Sequence, residues 1–129
     1  MTYAEIAAMV ESIGYPFAYD HFAEGESPAP PFLVFSLNES NNFMADDRVY
    51  SEITSVRIEL YTDLKLPKVE RKIEKVLDAN EIPWDKYEEW IKSEQLYEVE
   101  YSFETLYEPE DDEDDTNDSN TDDSDDDGG

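Results

Sequence analysis

The sequence predicts an α+β domain, a mainly antiparallel sheet with two helices on one face in the order α-β-β-β-α-β-β, followed by a disordered acidic C-terminal tail. Three observations predict it. Two segments carry apolar residues at helical spacing, several others alternate apolar and polar residues, and all 2 Trp, 9 Tyr and 6 Phe lie at or before Tyr107.

The first helix opens with Thr2 and Glu5, a capping-box pair, and continues with Ile6, Met9, Val10 and Ile13 at i, i+3, i+4 and i+7. Gly14 and Pro16 end it near Ile13. Phe17 to Phe22, with aromatics at 17, 19 and 22, is read as a first strand of irregular pattern. Glu24 to Pro31 holds Gly25 and three prolines and reads as a stiff surface connection. It feeds Phe32-Leu33-Val34-Phe35-Ser36-Leu37, a buried central strand. From Ser51 to Tyr61, Thr54, Val56, Ile58 and Leu60 alternate with Ser55, Arg57, Glu59 and Tyr61, so one face is core and the other meets solvent or a partner.

The second helix starts at about Pro67, with Val69, Ile73, Val76 and Leu77 on one stripe and Glu70, Arg71, Lys72, Glu74 and Lys75 assigned opposite. Asn80 and Pro83 bracket its exit. Trp84 to Ile91 and Leu96 to Glu104 follow as strands. In the last, Tyr97, Val99, Tyr101 and Phe103 alternate with Glu98, Glu100, Ser102 and Glu104.

Charge divides the chain into a domain over residues 1–107 and a tail over residues 108–129. The whole has 35 acidic and 9 basic residues, and the tail takes 13 of the acids and none of the bases. The domain therefore carries 9 − 22 = −13. A segment such as Asp111-Asp112-Glu113-Asp114-Asp115 buries no apolar surface and is expected to be disordered. Asp118, Asn120 and Asp122 match the first ligand positions of a calcium loop. Asp123 at the sixth position and Gly129 at the twelfth do not, so the tail reads as a solvated anionic brush.

Several chemistries lack their residues. No cysteine is present, which removes disulfides, thiolate nucleophiles and thiolate metal sites. His21 is the sole imidazole and sits in a weak strand, so it is assigned no role. The domain's two glycines, Gly14 and Gly25, write no phosphate-binding loop. Trp84 and Trp90 lack the surrounding positive charge of a base-stacking groove, and packing is the better account of both. No catalytic residue, metal site or cofactor is assigned. The negative field disfavours direct nucleic-acid binding, and no apolar run is long enough to span a membrane. The start of the chain has no secretory signature, so a soluble, cytoplasmically assembled protein is expected.

Between the two central strands lies Leu37-Asn38-Glu39-Ser40-Asn41-Asn42-Phe43-Met44-Ala45-Asp46-Asp47-Arg48-Val49-Tyr50, followed by Val56-Arg57-Ile58-Glu59-Leu60-Tyr61-Thr62-Asp63. With the Phe32-Leu33-Val34-Phe35 strand and the closing Leu96-Tyr97-Glu98-Val99, these strings resemble a family of small proteins from phages and prophages with long non-contractile tails. Its members are minor tail or tail-completion proteins, similar in layout to tail terminators such as that of phage lambda. The resemblance covers about residues 1–106 and contains no catalytic signature.

The resemblance implies a ring, a hexamer on the tail and a monomer or ring in solution, that caps the tail tube, stops its growth and presents a surface to the head. Its expected partners are copies of itself, the major tail tube protein and a head–tail connector protein, and its expected location is the tail or neck of the virion. The candidate assembly residues are Glu39, Asn41, Asn42, Phe43, Asp46, Asp47 and Arg48 in the long loop, and Arg57, Glu59 and Tyr61 on the polar strand face. A head-closure or connector protein, an acidic DNA mimic and a small enzyme with a carboxylate site remain as alternatives.

Overall fold

The computed structural model describes the backbone of residues 1–40, 43–45 and 48–108, with side chains described outside residues 39–51. Helix α1 spans Tyr3–Glu11, and β1 (Phe17–Tyr19), β2 (Phe32–Ser40), β3 (Phe43–Ala45), β4 (Arg48–Ser51) and β5 (Ile53–Thr62) follow it. Helix α2 (Pro67–Ala79), β6 (Asp85–Ile91) and β7 (Leu96–Leu106) complete the order. Five strands form one sheet in the order β1-β2-β5-β7-β6, antiparallel except for the β1–β2 pair. The main sheet and helices thus follow the expected α-β-β-β-α-β-β order. The connection between β2 and β5, expected as a long loop, contains the small antiparallel ribbon β3–β4.

The caps follow from local chemistry. Glu5 N–H donates to Thr2 Oγ1 at 3.1 Å and Thr2 N–H donates to Glu5 Oε1 at 2.9 Å, closing the capping box of α1. Gly14 leaves the helix at φ 102°, a conformation that disfavours a Cβ. Helix α2 begins at Pro67 without a side-chain cap, its first turn fixed by the proline ring.

Register aligns the core in rows across the sheet. Leu33, Leu60 and Val99 form one row, Phe35, Ile58 and Tyr101 the next, and Leu37, Val56 and Phe103 the third. Ile6, Met9, Val10 and Ile13 of the α1 segment and Val69, Ile73 and Leu77 of α2 belong to the same buried cluster, so both helices cover one face. Ile6, Leu33, Ile58, Leu60, Ile73 and Leu77 are fully enclosed.

Two sequence expectations are corrected. Glu70 and Glu74, assigned to the solvent side of α2, are each only 4% exposed. They lie on the buried stripe because 70, 73, 74 and 77 are spaced i, i+3, i+4 and i+7, so helical period outweighs residue type. The first strand ends at Tyr19 rather than Phe22, where Asp20 takes a left-handed conformation at φ 66°.

Candidate functional site

The face of the sheet turned away from the helices is the candidate site. Along β5 every second residue, Thr54 through Thr62, is buried against the helices, which turns Ser55, Arg57, Glu59 and Tyr61 outward. On β7 the same alternation turns Glu98, Glu100, Ser102 and Glu104 outward, and on β6 it turns Asp85, Tyr87 and Glu89 outward. Register then places Glu59 directly opposite Glu100, and Glu98 opposite Glu89. Like charges in directly opposed positions weaken a sheet.

Arg57 is the sole cation among the described strand residues of this face. It lies 3.4 Å from Glu59 and 3.8 Å from Glu100. A bulge in β2 between Leu37 and Glu39 re-aims Asn38. With its amide oxygen turned toward Arg57, Asn38 accepts from Nε at 3.0 Å and from Nη2 at 2.6 Å. Tyr61 Oη donates to Glu59 Oε1 at 3.2 Å, and its ring stacks on Phe32 at 5.2 Å. Phe22, from the β1–β2 connection, meets Phe32 edge-on at 5.4 Å. The β2 end of the face is thereby covered with aromatic rings, while the β5–β7–β6 end is acidic.

Burial, then the hydrogen bond to Glu59 and the charges of Glu59, Glu100 and Glu89, push Glu98 up to about 7. Burial and the charges of Glu59 and Glu98 hold the Tyr61 phenol well above the usual tyrosine range. Oxygens of Glu59, Glu98 and Glu100 lie within 4.8 Å of one another, a spacing a hard cation accepts. Arg57, near both Glu59 and Glu100, already offsets part of that charge.

A second cluster joins α2 to the outer strands on the covered side. Lys86 Nζ reaches Glu70 at 2.8 Å and Glu74 at 2.7 Å, Lys65 reaches Glu70 at 2.8 Å and Glu88 at 2.6 Å, and Arg71 reaches Glu74 at 2.9 Å. Tyr101 Oη donates to Glu74 Oε2 at 2.8 Å. Burial pushes both carboxyls up, but the hydrogen bonds from Lys65 and Lys86 to Glu70 and from Lys86, Tyr101 and Arg71 to Glu74 outweigh it and hold them below the usual carboxylate range. Every carboxylate of this cluster has a cation beside it, in contrast to the open face.

Among the expected site residues, the structure brings Arg57, Glu59 and Tyr61 together. Glu39, Phe43 and Arg48 have a described backbone, in β2, β3 and β4, and their side chains lie outside the described residues. Asn41, Asn42, Asp46 and Asp47 lie outside the described residues altogether, as do residues 109–129 with the calcium-like Asp118, Asn120 and Asp122. His21 is exposed and pairs with its neighbour Asp20 at 2.9 Å. Trp84 packs edge-on against Tyr101 at 5.4 Å, and the 46% exposed Trp90 packs on Tyr97 at 4.7 Å. Sequence reasoning left out Asn38, Asp85, Glu98 and Glu100 as site residues. The alternation of β7 marks its glutamates, but only register sets them against Glu59 and Glu89.

No helix among the described residues is long and apolar enough to cross a membrane. No protein-family model matches the chain, and no curated protein matches it.

Proposed function

We propose that this chain is a structural tail protein of a long non-contractile-tailed phage or prophage, which caps the tail tube as a ring, ends polymerisation and offers the surface for head joining. The sequence strings set out above support this reading, and one structural observation carries it. The sheet has one face sealed by two helices and an opposite face with opposed carboxylates and an aromatic shelf. Such pairing costs stability within the monomer, and local rules are broken in this way where a surface serves a contact. A ring requires a heterologous interface whose rotation closes, and such a face is suited to one.

In this role the chain is not an enzyme. It acts by geometry on copies of itself, the tail tube protein and the connector. Electron microscopy of particles from a phage lacking the gene tests the role: overlong or unjoined tails support it, leaking heads indicate head closure instead, and normal particles overturn both. Within the β2–β5 connection, Phe43→Ala combined with Arg48→Ala is expected to impair ring formation and capping. Unchanged capping would remove that loop from the interface.

A second reading, a DNA mimic, is favoured by the placement of carboxylates on paired strands rather than in the tail alone. It predicts normal tail length after deletion of the gene and loss of control over a nucleic-acid-binding protein.

A further inference from the structure

The acidic face is notched at one end. Strand β6 starts at Asp85, opposite Ser102, whereas β7 continues to Leu106, so beyond Ser102 its outer flank has no strand of the sheet beside it. Pro83 and Trp84 stand across the gap. The notch has a volume of about 560 Å³; Ser55, Ser102 and Glu104 line it from the open face, and Trp84, Phe103 and Asp85 complete its walls.

Its walls have complementary chemistry. Trp84 is held in place, since Nε1 donates to Asp78 Oδ1 at 3.0 Å and the ring meets Tyr101 edge-on. Asp85 is exposed and its carboxylate makes no hydrogen bond or ion pair among the described residues. Arg57, in the same cross-strand row as Ser102 and Asp85, is turned to Glu59, Glu100 and Asn38 instead. An anchored indole beside an uncompensated carboxylate and two hydroxyls fits a cation on an apolar stem. The stem lies along the rings and the charged head meets oxygen.

We propose that this notch takes an arginine or lysine side chain presented by a basic segment of a protein partner. The proposal rests on the reading of the open face as a contact surface and adds the chemistry of what it meets. Charge selects the occupant. Among the described residues Glu59, Asp85, Glu89, Glu98, Glu100 and Glu104 share the face with one cation, Arg57, an excess of negative charge that repels nucleic acid and attracts a basic protein segment. A second copy is the poorer source, because each domain carries an excess of 13 negative charges over residues 1–107.

Trp90→Phe in the full chain leaves Trp84 as the only tryptophan. Its emission is followed during titration with the blocked peptide Gly-Gly-Arg-Gly-Gly and with the same peptide carrying neutral citrulline. The arginine peptide is expected to shift the emission saturably and the citrulline peptide to leave it unchanged. Asp85→Asn should weaken the response about tenfold, the loss of one charge-assisted contact. Glu94→Gln, which removes equal charge from the β6–β7 turn, should leave it within about twofold.

Equal weakening by Asp85→Asn and Glu94→Gln would show diffuse attraction and overturn the proposal. So would an absent response at millimolar peptide, or an emission shift that depends on protein concentration alone and marks a second copy as the occupant. No response to peptide combined with overlong tails on gene deletion overturns the notch and spares the tail role. A specific response combined with normal particles on deletion does the reverse.

Discussion

The two faces of one sheet are built on opposite terms. Toward the helices, β2, β5 and β7 present rows of Leu, Ile, Phe and Val, and each charged residue at the margin, Glu70, Glu74 or Lys86, is matched by a partner of opposite sign. Away from the helices, the strands set Glu59 against Glu100 and Glu98 against Glu89, with Arg57 the one cation among the described residues there. The covered face is organised for folding. The open face departs from what folding alone favours, and that difference locates the surface on which function is to be sought.

Substitutions on the two faces should therefore differ in size and sign. The largest effect belongs to Ile58→Ala, which opens a cavity under both helices and should cost about 3 kcal/mol in urea unfolding. Its neighbour Glu59→Gln should fall within about 1 kcal/mol of the parent. A comparable loss from both would erase the distinction.

Lys86→Met should cost about 2 kcal/mol, because it leaves Glu70 and Glu74 buried with one cation fewer; the partial exposure of Lys86 keeps the loss below that of a fully buried pair. Replacing Glu70 and Glu74 by Gln in the same chain should recover part of it. Equal stability of parent and Lys86→Met would show that the cluster is solvent-screened.

The open face should respond to pH with the sign of a raised carboxyl. Glu98 binds its proton up to about 7 in the folded chain and only in the ordinary carboxylate range when unfolded. The folded state therefore holds more protons between those limits, and stability should fall as pH rises from about 5 to 7.5. Glu98→Gln should flatten that slope and gain about 1 kcal/mol at pH 8, a figure reduced for solvent screening. An unchanged slope in Glu98→Gln would assign the titration elsewhere. Tyr61→Phe, which removes one hydrogen bond to Glu59, should change stability by about 0.5 kcal/mol.

Much of the covered face was legible in the sequence because it obeys local periods. The capping box at Thr2 and Glu5, the β5 alternation and the Ile73–Leu77 stripe needed no knowledge of distant residues. Glu70 and Glu74 were legible too, but only to a reading that follows the period and ignores polarity.

The open face was half legible. Alternation turned Arg57, Glu59 and Tyr61 outward, but opposition of Glu59 to Glu100 depends on pairing β5 with a strand about 40 residues later, which no local pattern sets. The β3–β4 ribbon escaped because Asp46-Asp47 lacks the glycine that marks a tight hairpin. The notch depends on β6 starting short of the end of β7, a length mismatch visible only once the two are paired.

In the proposed role the open face, not the helix side, makes the contacts that end tail growth. Tail length in particles carrying Glu89→Lys with Glu100→Lys tests it most directly, beside particles carrying Lys68→Glu with Lys75→Glu on the exposed side of α2. Overlong tails are expected from the first pair and parental length from the second. Parental length from the open-face pair, with the protein folded and present, would contradict it.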